Sequence, residues 1–552
     1  MQTLGSDCEV FFLDHDADLD ALRRRVFSRS THESKTSVNT LDYAVERLGA
    51  RVAIIECEYI DADYRSEFAN FYATTFRQYK NTCERVHFFR RLELPEGPEA
   101  PLRIQDGEYL GFVVLRPVDF GRIGRTVLQP WLPEEYRYKV YPLCVAPFAS
   151  HLFDKAWEVS GMPFIQQDSM VMSCAQASIW MATRYMSRRF NLQQHYPFDI
   201  TRSAFRSAVN RGRLVPSDKL MQGDMVNALN TMGYSPLLYN RPKQEEYPDD
   251  DNGYRAARQQ WNPVKLIYSF IESQMPVIIG VDRHALTVVG HLFSPERKTP
   301  LPTKAEMREK TRRGEYNLTV STEWVNAFMV HDDSIGPYRI LPVTAYRRYF
   351  PQPHGDGDAQ WRDVMSSHHT DEIHTVIGLL PSKVYMTAEV AEAWAARSLC
   401  NTSFHAEAYQ EQQDGNLTAD SFLTALYGDD PANAIVLRTY FTSSARYKEM
   451  VANEACDIHP ILKNEYLDMR MPHYIWVTEI TTSDRLSRED EHDRRIVGEI
   501  LMDTTQNKCC SMPLSVHLPG GFRKTDANAE SFLECIRLNG DQDYLLPNRA
   551  AR

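Results

Sequence analysis

The sequence predicts an α+β protein built from three regions, and three observations carry that expectation. At 552 residues the chain is too long for one ordinary core. Its 43% hydrophobic and 25% charged content is that of a globular protein. Helix-period and strand-like apolar runs occur together in each of three stretches, residues 1–150, 151–385 and 386–552.

Several classes are excluded at once. No apolar run approaches the length that crosses a bilayer, and Met1–Asp7 lacks the basic and apolar parts of a secretory signal. Ten cysteines are scattered without a CxxC pair, which argues against a disulfide framework or a structural zinc site. A reducing, cytoplasmic location and no membrane contact are expected. A formal charge of −12 argues against generic nucleic-acid binding.

In residues 1–150 a charged helix is expected around Asp16–Phe27 and a strand at Val52–Cys57. Tyr64, Phe68, Phe71, Tyr72, Phe76 and Tyr79 recur mostly at spacings of three and four, the stripe of a core-facing helix. Strands follow at Tyr109–Leu115 and Thr126–Leu128. Between them, Gly121-Arg122-Ile123-Gly124-Arg125 reads as a turn with two solvated arginines.

The central region holds the chemistry. In Gln166-Gln167-Asp168-Ser169-Met170-Val171-Met172-Ser173-Cys174 a thiol stands at the mouth of a helix, with Ser173 or Ser169 available to cap it. A helix N-terminus and a neighbouring imidazole lower a thiol pKa, and a glutamine amide could meet a developing oxyanion beside the N–H of Cys174. Gln166 and Gln167 are not separated by spacing. His284 follows the apolar strand Pro276–Val281 and opens a second run, Leu286–Val289. A third run, Asn326–Val330, ends at His331-Asp332, with Asp333 a possible substitute if the strand ends one residue later. Antiparallel pairing of the last two runs would set the start of one beside the end of the other, bringing His284 to Asp332. His291 reads as structural. The polar stretches 241–263 and 294–315 read as solvated excursions. His354, His368, His369 and His374 with Asp356, Asp358 and Asp371 match no closed metal site and read as a polar loop.

The last region predicts an alanine-rich helix near Thr387–Ser398 and strands at Ala434–Tyr440, Tyr474–Ile480 and Val497–Asp503. A charged loop at Ser483–Arg495 and a turn at Pro519-Gly520-Gly521 complete it. Cys509-Cys510 reads as two ordinary thiols.

The three segments around Cys174, His284 and Asp332 resemble the papain-like bacteriocin-processing (double-glycine leader) cysteine peptidases and their wider relatives. That group shows a glutamine several residues before a cysteine-led helix, a histidine opening a hydrophobic strand, and an Asp-Pro with a nearby glycine. The resemblance covers about 155–385 of the 552 residues. Cys174-Ala175 stands where the family has Cys-Gly, and Asp332-Asp333 where it has Asp-Pro. It implies a papain-like cysteine hydrolase domain, its Cys-helix packed on an antiparallel sheet, flanked by two α+β accessory domains. By it Cys174 is the nucleophile, His284 the general base, Asp332 its orienter and Gln167 the oxyanion donor. The expected activity is a cysteine peptidase cleaving a peptide or isopeptide bond through a thioester, with no metal or organic cofactor. The expected partners are a protein or peptide substrate, with room for a regulatory protein. The same chemistry serves deamidation or transglutaminase-type acyl transfer, and a non-catalytic binding protein of the same fold is the third reading.

Overall fold

A computed structural model describes residues 2–4, 8–27, 34–93, 107–132, 139–168, 170–205, 220–248, 250–294, 316–344, 363–382, 384–399, 417–428, 433–453, 460–488, 495–506, 513–519 and 521–525, with a few shorter pieces. Its helices and sheets are interleaved along the chain as an α+β protein. Among the described residues no helix is long and apolar enough to cross a membrane.

The first sheet is a six-stranded antiparallel meander in chain order, from Gln2–Leu4 to Ile123–Leu128. Adjacent strands need only short connections in such a sheet, and its inward side chains alternate with outward ones. The second sheet runs Tyr234–Asn240, Ile373–Pro381, Val277–Val281, His284–Phe293, Val325–Asp332, Gly336–Pro342, with Lys139–Tyr141 also paired to His284–Phe293. Its pairs are all antiparallel. A third sheet centres on Ile435–Ser443, Tyr474–Thr482 and Gly498–Asp503, and among the described residues its parallel pair is Leu318–Val320 with Ile435–Ser443. One hydrophobic cluster runs from Phe11 to Leu518 and joins side chains of all three regions.

The helix Cys174–Phe190 packs across the strand His284–Phe293. Small residues at Ala175, Ala177, Ser178 and Ala182 let the two backbones approach, and all four are buried. Ser178 donates its hydroxyl to the carbonyl of Ala285 at 3.2 Å, which sets the register of helix against strand one turn from Cys174. Trp180 is fully buried, and its indole N–H meets Asp63 of the first region at 2.9 Å. Burying an aromatic side chain of that size is worth roughly 2–3 kcal/mol. At its end the helix turns off through Asn191 at φ +52, a conformation asparagine tolerates.

Three expectations change. The aromatic stripe does not make one helix: Ala62–Asn70 is helical, then the chain breaks into a short 3₁₀ turn at Tyr72–Thr74. There the Asn70 amide bonds back to the Ser66 carbonyl and the Thr74 hydroxyl to the Phe71 carbonyl, local bonds that compete with helix continuation. Phe76 is left in solvent. The arginines near Gly121 are not solvated: Arg122 is buried against Glu84 at 3.1 Å, and Arg125 pairs with Asp61 at 3.0 Å. Buried carboxylates need such partners. The polar stretch after Arg241 contains a surface helix, Asp251–Gln260, whose N-terminus is capped by Asp250 accepting from Gly253 N–H at 2.7 Å. Of the second stretch, 294–315, only Ser294 and Glu306 fall within the described residues, and His354, Asp356, Asp358, Cys509 and Cys510 lie outside them.

Candidate active site

The expected antiparallel pairing forms, with Thr287 opposite His331 and Val288 opposite Val330. Asp332 ends its strand, opposite Gly336 across a tight turn. His284 begins its own strand, just after the two-residue turn Asp282-Arg283, where Asp282 takes φ +46. The two ends meet. His284 Nε2 lies 3.0 Å from Asp332 Oδ1 and 3.3 Å from Asp333 Oδ1.

Cys174 joins them. It is the first residue of its helix, partly exposed, and its side chain is among the groups that raise the His284 pKa. The helix tip is fixed from inside: the Gln176 side chain accepts from the Ser173 N–H at 2.9 Å and also pairs with the Ser173 hydroxyl. Cys174, His284 and Asp332, far apart in sequence, are thus brought to one place.

The imidazole is held as a cation. Burial works to lower its pKa, but the bond to Asp332, the interaction with Cys174 and the charges of Asp333 and Asp332 outweigh it and raise it to about 11. Asp332 is buried, and its Oδ1 also accepts the Ser334 N–H at 2.9 Å. Such a bond to the backbone two residues on suits aspartate at a turn. Asp333 is fully buried and closes no well-formed side-chain hydrogen bond. Burial and the Asp332 charge push its pKa up to about 7, against the pull of His284 and the nearby N–H groups of Gln167 and of Asp333 itself.

The two glutamines separate. Gln166 is buried and committed: its carbonyl oxygen accepts the Ile123 N–H at 3.2 Å, and its amide donates to Ser34 at 2.9 Å. Gln167 is partly exposed, and its amide reaches only the Ser334 hydroxyl at 3.4 Å. Its side chain is the one left available near the carboxylate turn.

Sequence reasoning passed over two neighbours. His368 lies against His284 with ring centroids 6.3 Å apart, and Glu372 binds its Nδ1 at 2.6 Å. His368 and His369 both face Glu372, while His374 bonds the carbonyl of Asp282 beside the histidine turn. The tract read as a plain polar loop therefore borders the site. Histidine density was its only signal. The second neighbour is the helix Lys35–Asp42, whose Thr36 and Asn39 bind the carbonyls of Asp333 and Ile335. His291, read as structural, bonds Glu272 at 2.6 Å in a buried group with Arg438.

His284, Asp332 and Asp333 offer one nitrogen and two carboxylate oxygens within 4.8 Å of one another, the described group whose atoms could hold a metal ion. The same spacing is that of charge-assisted hydrogen bonds to an imidazolium.

Chemically, the arrangement pairs a sulfur at a helix N-terminus with a cationic imidazole and a carboxylate, beside an available amide. Such a set can transfer an acyl group to sulfur. No protein-family model matches the chain, and no curated protein or solved structure matches it.

Proposed function

We propose that this protein is a papain-like thiol hydrolase that cleaves a peptide or isopeptide bond in a protein or peptide substrate. The single observation that carries the reading is His284 at 3.0 Å from Asp332, with the side chain of the helix-leading Cys174 acting on the same ring.

With His284 already carrying the proton as imidazolium, the Cys174 sulfur attacks the substrate carbonyl carbon. Negative charge then develops on the carbonyl oxygen, where the Gln167 amide and the Cys174 N–H donate. Collapse breaks the C–N bond, and the departing amine takes the proton from His284, leaving a thioester on Cys174. Neutral His284 next accepts a proton from water, whose oxygen attacks the thioester. The acid product leaves the sulfur, and His284 keeps the proton as the starting imidazolium. Through both halves Asp332 keeps the ring oriented and its cationic form stabilised.

The test uses a peptide library or a denatured protein mixture, followed by mass spectrometry. Fragments produced by the intact chain and absent with Cys174→Ala support hydrolysis. A mass change of about one dalton on intact substrate, or an amine adduct, moves the reading to deamidation or acyl transfer through the same thioester. Turnover that survives Cys174→Ala, or Cys174 alkylation no faster than at an exposed control thiol, ends it.

A further inference from the structure

The loop that carries Gln167 to Cys174 has anchors beyond its contacts with the carboxylate turn of the central sheet. The chief anchor is a buried ionic hub that joins Arg116 and Glu67 of the first region to Asp168 of the loop. Arg116, at the end of the strand Gly107–Leu115, binds both oxygens of Glu67 through Nη1, each at 3.0 Å. Its Nη2 donates to the carbonyl of Gln166 at 2.6 Å and to the carbonyl of Gly121. Asp168 lies 3.8 Å from the same guanidinium. Asp168 in turn gathers the next stretch of backbone: its Oδ1 accepts the N–H groups of Met170, Val171 and Met172 at 3.0, 2.9 and 2.9 Å. Its Oδ2 takes the Tyr72 hydroxyl at 2.7 Å. Arg116, Glu67 and Asp168 are all sealed from solvent.

Gly121 completes the seat. It sits at φ +69, and a Cβ there would come within 2.1 Å of the Gln167 carbonyl oxygen. Backbone therefore packs directly on backbone at the residue whose amide faces the site. This is the role of a glycine run that otherwise reads as an idle turn.

We propose that Arg116 is a positioning residue for the acyl-transfer site: through the Gln166 carbonyl and Asp168 it sets where the Gln167 amide stands. The proposal rests on the thiol hydrolase reading. A buried ion pair is a poor source of stability compared with hydrocarbon of the same volume, so placement is what the hub contributes. Placement matters steeply at such a site, where a shift of about 1 Å can cost roughly a hundredfold in rate. The first region is then part of the catalytic framework.

The experiment compares the full chain with Arg116→Lys, which keeps the charge and loses the fork, and with Tyr72→Phe, which removes one bond to Asp168. Peptide cleavage, melting temperature and Cys174 alkylation by iodoacetamide across pH are measured on each. Alkylation needs the sulfur and no oxyanion donor. We expect Arg116→Lys to lower kcat about 10–100-fold with KM within about threefold and an alkylation profile within about twofold. Tyr72→Phe should lower kcat about threefold. Adding Gln167→Ala to Arg116→Lys should cost much less than the product of the single losses, since both act on one donor. Should Arg116→Lys not fold, Tyr72→Phe and its combination with Gln167→Ala decide the question in its place. Unchanged kcat in a folded variant, or fully multiplicative losses with Gln167→Ala, overturns the proposal while leaving the hydrolase reading intact. Absence of any Cys174-dependent cleavage by the unaltered chain removes that reading and this proposal with it.

Discussion

Thr36 donates its hydroxyl to the main-chain carbonyl of Asp333, 3.2 Å away and 297 residues further along the chain. Both residues are buried, and Asn39, one turn later, binds the Ile335 carbonyl at 2.8 Å. The turn that carries two carboxylates to His284 is thus clamped by a helix near the start of the sequence.

Removing that clamp should be felt in both stability and rate. A buried carbonyl stripped of its donor costs on the order of 1–3 kcal/mol. Thr36→Val is expected to lower stability by that order and to lower kcat several-fold as Asp332 gains freedom. Chemical denaturation beside peptide turnover checks this, and a variant as stable as the parent would show that the bond carries little.

The two carboxylates at the imidazole should not be equivalent. Asp332 makes the shorter contact and is itself fixed by Ser334, whereas Asp333 lies at 3.3 Å without a well-formed bond. Asp332→Asn is expected to lower kcat by roughly 10²–10⁴ and Asp333→Asn by roughly tenfold. Steady-state kinetics decides, and the reverse ranking would transfer the orienting role to Asp333.

Both shifted groups make the fold weaker as pH rises. Asp333 keeps a proton up to about 7 that an unfolded carboxyl releases near 3.8, so stability falls across that interval. His284, raised to about 11, contributes stability that is full below its ordinary 6.5 and lost as pH climbs toward 11. Asp333→Asn removes the first of these. Its melting temperature relative to the parent should therefore be more favourable at pH 8 than at pH 5, and a pH-independent difference in calorimetry would contradict the burial argument.

The glutamines offer a paired comparison. Loss of one oxyanion donor costs about 10²–10³ in kcat. Gln167→Ala is expected to show that loss with little change in melting temperature. Gln166→Ala leaves the Ile123 N–H unmet inside the protein, and should lose stability instead. Finding the catalytic loss at Gln166 would exchange the two assignments.

Local pattern was legible wherever local forces decide. The helix at Asp16–Phe27, the strand beginning at Val52 and the helix led by Cys174 stand where periodicity and capping place them. The pairing of the histidine and aspartate strands followed from their apolar runs ending in polar residues. Phe71, Tyr72 and Phe76 misled because spacing alone does not register a chain break, here reinforced by Tyr72 reaching the buried Asp168. Arg122 and Arg125 misled because a charged side chain goes inside only when a distant carboxylate is waiting, and Glu84 and Asp61 were waiting.

The amino-acid order by itself determined an α+β chain, the helix that starts at Cys174, and the strand ends that carry His284 and Asp332, because caps and side-chain periods act over a few residues. Only the tertiary structure decided which glutamine stays available, that Asp333 is sealed beside the imidazole, and that Arg116 and Thr36 hold the loops on either side. Those outcomes depend on burial and on partners tens to hundreds of residues away, and burial is a property of the whole packed molecule.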